Sequence, residues 1–187
     1  MTRVIAGQAR GRRLRVPAGP GTRPTADRAR EGLFSTLLSL TDLEGARVLD
    51  LYAGSGALGL EALSRGAGAA VLVEDAAAAL RVLGANVEAV GLPGAVVVAM
   101  PVVGFLAGEP ASYGGLFEVA LLDPPYEHSY DDEVLPALAA LARWLVPGAV
   151  VAVERRSREP APAWPEPYRP VRARRYGEAT LWYGSRS

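Results

Sequence analysis

The chain has 187 residues, half of them hydrophobic, which suffices for one domain with a substantial core. It has no cysteine and one histidine, which excludes disulfides, thiolate catalysis and metal sites rich in cysteine or histidine. The net charge of zero hides a segregation, because residues 1–30 carry an excess of +7, residues 31–150 one of −11 and residues 151–187 one of +4.

All twenty basic residues are arginines, whose side chains pair bidentately with phosphate and stack on bases. The arginines near the N-terminus are therefore candidates for contact with a nucleic acid. They are Arg3, Arg10, Arg12, Arg13, Arg23, Arg28 and Arg30. A solvated basic arm without such a partner is the alternative. No apolar run reaches the roughly 20 residues of a membrane span, and the first residues lack the apolar core of a signal peptide, so we expect a cytoplasmic protein.

The first 21 residues are rich in Gly, Arg and Pro and hold two short β-like pieces, Arg3–Ala6 and Arg13–Val16. They predict a basic hairpin or arm outside the main core. Residues 22–187 are expected to form the main domain. This domain opens with a helix over residues 26–40, for which Thr25 is the predicted N-cap.

From residue 47 onward strands and helices alternate, which favours a parallel sheet covered by helices on both faces. The predicted strands are Arg47–Tyr52, Ala69–Glu74, Ala95–Ala99, Leu116–Leu122 and Ala149–Glu154. The predicted helices are Leu58–Arg65, Ala76–Val90, a short turn or helix near 102–107, and Tyr130–Leu145. A proline-rich loop over Arg158–Pro167 leads into a closing hairpin of Tyr168–Tyr176 and Ala179–Tyr183.

A glycine-rich turn follows the first of these strands, with the spacing Gly54-x-Gly56-x-x-Gly59 of a nucleotide-binding loop. Glu74 ends the next strand, where a carboxylate can accept both hydroxyls of a ribose. These features permit a nicotinamide dinucleotide or S-adenosylmethionine. Asp50 could receive the ammonium of a methionine moiety, which favours S-adenosylmethionine. The alternatives are a tight turn without a ligand and an Asp50 that serves only as a helix-dipole partner. The remaining candidate cofactor contacts nearby are Tyr52, Ser55 and Asp75.

The sequence Asp123-Pro124-Pro125-Tyr126 follows the apolar run that ends at Leu122. Two prolines stop the strand because neither can donate a ladder hydrogen bond. Asp123 and Tyr126 are thus presented at the edge where open α/β sheets bind ligands. The Asp123 carboxylate and the Pro124 carbonyl could accept the two hydrogens of a purine amino group, and Tyr126 could stack on the base. A strand-ending turn with Asp123 as a helix cap is the alternative.

At this point the sequence resembles the bacterial 16S ribosomal RNA guanine-N2 methyltransferases. The similar segments are Arg3–Leu14, Thr22–Phe34, Asp50–Leu63, Asp123–Tyr126 and Tyr176–Thr180. The resemblance implies a Rossmann-like class I methyltransferase fold with a seven-stranded, mostly parallel sheet whose last strand is antiparallel. It implies S-adenosylmethionine as donor, and as acceptor N2 of a guanine in helix 31 of the small subunit or its assembly intermediate. It also places Thr25 beside the methionine end of the cofactor and assigns residues 1–16 to RNA.

One departure from the family lies after the third strand. There Met100-Pro101 offers no acid or amide for the adenine amino group, so we expect backbone and apolar contacts instead. The rival functions are a DNA adenine-N6 methyltransferase, a nicotinamide-dependent oxidoreductase, and a non-catalytic RNA-binding assembly factor. The sheet takes up nearly all of the chain after residue 45, which leaves little surface for reading DNA and favours structured RNA.

Overall fold

The computed structural model describes residues 2–16 and 24–187, with side chains in the second range from residue 27 onward. Its strands are β1 (Thr2–Arg3), β2 (Arg13–Leu14), β3 (Arg47–Leu51), β4 (Ala69–Glu74), β5 (Ala95–Ala99), β6 (Phe117–Leu122), β7 (Leu145–Arg156), β8 (Tyr168–Tyr176) and β9 (Ala179–Arg186). Its α-helices are α1 (Pro24–Leu40), α2 (Ala57–Ser64), α3 (Ala77–Val90), α4 (Val102–Ala107) and α5 (Leu135–Leu141).

The main sheet has seven strands in the order β5-β4-β3-β6-β7-β9-β8. The first five run parallel, and β9 lies antiparallel between β7 and β8. The central strands are near-continuous aliphatic runs, as expected for a parallel sheet that is buried on both faces. The fold class is therefore confirmed, including the antiparallel last strand and the N-terminal hairpin of β1 and β2.

Helices cover both faces of the sheet. Helices α1, α2 and α3 pack on one face through residues such as Phe34, Leu60 and Leu83. Helices α4 and α5 cover the other face through residues such as Phe105 and Leu138. Nowhere in the described part of the chain is a helix long and apolar enough to cross a membrane.

The N-terminal hairpin corrects the prediction of an arm outside the core. Val4, Ala9 and Leu14 are buried in the same cluster as α1, α2 and α3. The carboxylate of Glu61, which is fully buried in α2, accepts hydrogen bonds from the backbone N–H groups of residues 5 and 6, at 2.7 and 3.0 Å. The sequence pattern missed this docking because the hairpin binds a side chain some 55 residues away along the chain.

The predicted helix Tyr130–Leu145 is also corrected. A π-helical turn spans Tyr130–Val134, then α5 follows, and a 3-10 turn spans Ala142–Trp144. Pro136 lacks the N–H that an α-helix would need at that position, so regular helix cannot run back through this segment. Strand β7 begins earlier than predicted, because Leu145 pairs with Phe117 ahead of a register shift in the ladder.

Candidate active site

The candidate catalytic edge, formed by the carboxyl ends of the parallel strands, lies where the order of these strands reverses. The chain runs from β3 outward through β4 to β5 and then returns to β6 on the other side of β3. The loops after β3 and β6 therefore leave the sheet side by side, and the backbone N–H of Asp123 approaches the carbonyl of Leu51 at 3.5 Å. Such a switch point is where open α/β sheets form their ligand crevice.

The glycine loop after β3 has a left-handed backbone. Gly54 has φ of 56° and Gly56 has φ of 78°, values that side chains disfavour. A Cβ on Gly56 would lie 2.4 Å from a terminal methyl group of Leu83, so the Leu83 side chain would have to shift to accept it. A Cβ on Gly54 would meet nothing closer than a carbonyl at 4.0 Å, so the loop is open there to a ligand. Tyr52 also has a positive φ, 64°, which is uncommon strain of the kind found at functional sites.

Glu74 at the end of β4 holds the glycine loop. Its Oε2 accepts a hydrogen bond from the Gly54 N–H at 2.8 Å, and its Oε1 accepts from the N–H groups of Asp75 and Ala76 at 2.9 and 2.8 Å. A carboxylate offers about four acceptor directions, so one remains for a ribose hydroxyl. Accepting both hydroxyls, as predicted from the sequence, would require Glu74 to give up one backbone contact.

Asp50 lies beneath the loop and is buried. Its Oδ2 accepts a hydrogen bond from the Gly59 N–H in the first turn of α2 at 2.8 Å. This contact corresponds to the alternative role of a helix-dipole partner, and the predicted contact with an ammonium group stays a prediction. Burial raises the pKa of Asp50 to about 7, with a further rise from the Glu74 charge, while the Gly59 hydrogen bond opposes the shift.

Asp123 stands at the end of β6 beside other carboxylates. The residue is exposed to solvent, although neighbouring protein atoms reduce the hydration of its carboxyl group. This loss of hydration raises the pKa of Asp123 well above its usual range, and the negative charges of Glu154 and Asp50 raise it further. The positive charge of Arg155 acts in the opposite direction.

Tyr126 lies near Asp123 at the same edge of the sheet. Its hydroxyl donates to Oε1 of Glu154 at 3.3 Å, and the guanidinium of Arg156 lies 4.6 Å from the ring centroid. The side chain is 38% exposed. The ring is thus positioned from two sides and still has surface on which a planar ligand can stack.

The residues that close the site come from β7 and were not singled out from the sequence. Glu154 and Arg156 bracket Tyr126, and the buried Arg155 donates to Glu159 at 2.7 Å and to the carbonyl of His128 at 3.0 Å. Strand β7 neighbours β6, so its carboxyl end opens into the same crevice. Polar residues at the carboxyl ends of the strands on both sides of β6 were the sequence signal that could have identified these β7 residues.

A further buried residue, Asn86 of α3, joins the hairpin to the glycine loop. Its side-chain amide donates to the carbonyls of Ser55 and Arg15 at 2.8 and 2.9 Å, and its Oδ1 accepts from the Arg15 N–H at 2.8 Å. The residue is 1% exposed, and its three hydrogen bonds are partly buried. Asn86 therefore positions the loop and the hairpin relative to each other.

Most of the predicted nucleic-acid arginines lie on the surface. The exposed ones are Arg3, Arg10, Arg12, Arg13 and Arg28. A groove of about 270 Å³ is lined by Thr2, Arg3, Arg13 and Asp27. Arg12 also donates to the carbonyl of Val90, which fixes its side chain on α3.

Arg30 corrects its predicted assignment to RNA. It is 6% exposed and donates to Thr2 Oγ1, the Arg3 carbonyl and Asp27 Oδ1 at 3.0, 2.7 and 3.0 Å. Arg30 lies on the buried face of α1, so its guanidinium joins this helix to the hairpin. The predicted Arg23 and the side chain of Thr25 lie outside the described residues.

The strand order, with one antiparallel strand inserted beside the edge strand, is that of the class I S-adenosylmethionine-dependent methyltransferases. A family model described as Conserved hypothetical protein 95 matches residues 2–185. Since the match spans nearly the whole sequence, the chain belongs to this family.

Relatives with functional names point the same way. Ribosomal RNA small subunit methyltransferase D of Escherichia coli (strain K12) is 41% identical over 152 residues, which cover 81% of this chain and 73% of the relative. The protein of the same name from Haemophilus influenzae is 34% identical over 160 residues, covering 84% and 80%. The resemblance to ribosomal RNA methyltransferases seen in the sequence is thereby confirmed.

Solved structures agree on the fold. A hypothetical protein from a Thermus species superposes with a TM-score of 0.83 at 37% identity, covering 98% of both chains. SMU.776, solved in complex with SAH, gives a TM-score of 0.71 over 88% of this chain and 50% of that chain, and at 14% identity it shows the fold alone. S-adenosylmethionine is the cofactor of this class. The open side of Gly54 and the free acceptor direction of Glu74 fit it.

The residues after β5, where we expect the adenine of the cofactor, include no acid or amide at Met100 and Pro101, as noted in the sequence. Met100, after β5, is half-buried and packs against the core, and its N–H donates to the Glu74 carbonyl at 3.1 Å. Pro101 then occupies the N-cap position of α4. Neither residue presents a polar side chain, so apolar and backbone contacts remain the prediction for adenine.

Proposed function

We propose that this protein transfers a methyl group from S-adenosylmethionine to N2 of a guanine in 16S ribosomal RNA of the small ribosomal subunit. The observation that carries the proposal is the placement of Asp123-Pro124-Pro125-Tyr126 beside the glycine loop at the switch point. The names of the relatives support ribosomal RNA as the substrate. The choice of guanine N2 rests on the family resemblance, since the motif itself fits any exocyclic amino group.

The cofactor contacts proposed above belong to β3, β4 and the loops that follow them. They are Asp50, Tyr52, Gly54, Ser55, Gly56, Glu74 and Asp75. S-adenosylmethionine, when bound, supplies a sulfonium methyl group that a nitrogen lone pair can take up. The chain must then position the acceptor nitrogen and receive the proton that this nitrogen loses.

Asp123 and Pro124 would increase the nucleophilicity of the amino group, which is weak by itself. If the Asp123 carboxylate and the Pro124 carbonyl each accept one amino hydrogen, the nitrogen lone pair turns away from conjugation with the ring. The raised pKa of Asp123 makes this carboxylate a stronger base than an ordinary aspartate. Asp123 can therefore also accept the proton that leaves after methylation.

Tyr126 would bind the flat face of the base. Glu154 fixes the hydroxyl and Arg156 lies against the ring, so the platform is ordered before the base arrives. A preorganised aromatic ring loses little conformational freedom on stacking, which favours capture of a base that has left its helix.

The RNA itself would contact the N-terminal hairpin. Arg3 and Arg13 line one groove at its surface, and Arg10 and Arg28 are exposed as well. Arginines presented on a packed hairpin, instead of a free arm, hold their charges in a fixed arrangement. Such an arrangement suits a structured RNA with a defined phosphate path.

The experiment is methyl incorporation from labelled S-adenosylmethionine into unmethylated small subunits, 16S ribosomal RNA and duplex DNA. We expect label in the ribosomal substrates. We expect Asp123→Ala to abolish incorporation while it leaves cofactor affinity unchanged, and the exposed neighbour Glu127→Gln to retain activity. Label in DNA alone would replace the proposal with a DNA methyltransferase, and normal turnover by Asp123→Ala would refute the assigned mechanism.

A further inference from the structure

Strand β8 carries four arginines that the hairpin-based RNA surface does not include. They are Arg169, Arg172, Arg174 and Arg175, and all four are exposed. Residues 168–176 contain no acidic residue. Since β8 is the last strand of the sheet, this basic segment forms one lateral edge of the molecule.

The charges of these arginines are not neutralised within the described chain. Arg172 donates to the hydroxyl of Ser39 at 3.2 Å, and Arg175 donates to the carbonyl of Gly177 at 3.2 Å, both of them neutral acceptors. None of the ion pairs between described residues involves β8. The edge thus presents several unpaired positive charges to solvent.

The register of the sheet connects this edge to the catalytic site. Arg156 of β7 pairs with Ala179 of β9, which in turn pairs with Tyr176 of β8. Two strand spacings amount to about 10 Å. Arg156 itself lies against Tyr126. Arginines therefore stand on both sides of the first residues of β9, with Arg156 on β7 and Arg174 and Arg175 on β8.

A protein strand is a poor occupant for this edge. Pro170 has no backbone N–H to donate, and the pairing of β8 with β9 shifts register between Pro170 and Arg172. Both features discourage the addition of another strand. The groups that remain for recognition are the arginine side chains. Consecutive residues such as Arg174 and Arg175 point to opposite faces of the sheet. Phosphate is the ligand that matches arginine best.

We propose that β8 is a second RNA-binding surface, which contacts backbone phosphates of the substrate on the side of the catalytic edge remote from the N-terminal hairpin. The hairpin packs over α2 and α3, whereas β8 lies three strands beyond β6. The RNA would then be held on both sides of Asp123. This inference rests on the proposed function, because it assumes an RNA substrate.

The test compares two triple variants in their binding to unmethylated 16S ribosomal RNA transcript between about 50 and 200 mM salt. Arg172→Gln/Arg174→Gln/Arg175→Gln removes three charges, and Arg172→Lys/Arg174→Lys/Arg175→Lys keeps them. We expect the glutamine variant to bind more weakly and to lower the salt slope by about 2 to 3, at roughly 0.7–0.9 per phosphate contact. The lysine variant should keep the wild-type slope, and both should keep wild-type affinity for S-adenosylmethionine.

The single variant Arg174→Gln provides a milder test should the triple variant be unfolded, and it should lower the slope by about 0.7–0.9. A wild-type slope and affinity in the glutamine variants would overturn the inference. These arginines would then serve only to prevent another strand from pairing with the exposed edge of β8. A defect seen with small subunits but absent with naked RNA would also overturn it, because it would indicate a protein contact. If the wild-type enzyme methylates no ribosomal RNA, the proposed function fails instead, so the two failures are distinguishable.

Discussion

Replacing Asn86 with leucine tests whether the glycine loop and the hairpin depend on one side chain. Leucine has the same number and branching of side-chain heavy atoms but no polar atom, so the substitution removes three hydrogen bonds, which join Asn86 to Ser55 and Arg15. It leaves the Arg15 N–H and two carbonyls without this partner at a partly buried position. At about 1 kcal/mol for each lost bond, we expect the free energy of unfolding to fall by about 3 kcal/mol.

The functional effect should appear in cofactor binding. The bond to the Ser55 carbonyl fixes the loop that we propose to contact the cofactor, and a loss of about 1 kcal/mol there corresponds to about fivefold weaker binding. Urea unfolding gives the stability, and calorimetric titration with S-adenosylmethionine gives the affinity. Arg81→Gln, an exposed change in the same helix, is the control and should alter stability by less than about 0.5 kcal/mol. If Asn86→Leu matched the wild type in both stability and affinity, the loop would not depend on Asn86.

Three further variants probe the loop, the buried acid and the docked hairpin. Gly56→Ala forces a methyl group to within 2.4 Å of Leu83 and strains a left-handed residue, so it should lower the unfolding free energy by about 1–3 kcal/mol; an unchanged melting curve would be inconsistent with this packing. Asp50 has a pKa raised to about 7, so its contribution to stability is fully present below about pH 4 and is lost as the pH rises to 7. Asp50→Asn should therefore abolish a fall of about 3 kcal/mol between pH 5 and pH 8, and parallel pH profiles of the two proteins would contradict the shift. Glu61→Leu leaves Arg65 and two hairpin N–H groups without their acceptor and should cost about 3–5 kcal/mol by urea unfolding, whereas a loss below about 1 kcal/mol would mean that the hairpin is anchored elsewhere.

The order of strands and helices could be predicted from the sequence because it depends on local patterns. Aliphatic runs such as Phe117–Leu122 and the glycine turn after β3 each mark one element without reference to distant residues. The π-helical turn before α5 could not be predicted as such. Its geometry depends on the Ser129 cap and on Pro136 together with the packing of this segment on the sheet.

The candidate site could be predicted where its residues end a strand or follow it directly, as Glu74 and Asp123 do. Arg30 was assigned wrongly to RNA because a charge count does not show which face of α1 turns toward the hairpin. Glu154 and Asn86 were missed because their roles arise from contacts with Tyr126 and Ser55, which lie about 30 residues away in the chain. Such non-local contacts form only once the strand order has brought the elements together.

The most direct test of the central claim is nucleoside mass spectrometry combined with mapping of the modified nucleotide. Ribosomal RNA from a strain that lacks this enzyme is analysed before and after treatment with the wild-type protein and S-adenosylmethionine. We predict the appearance of N2-methylguanosine at one position of 16S ribosomal RNA, and none after treatment with Asp123→Ala. Methylation of another base or another atom, or no methylation of ribosomal RNA, would contradict the proposal.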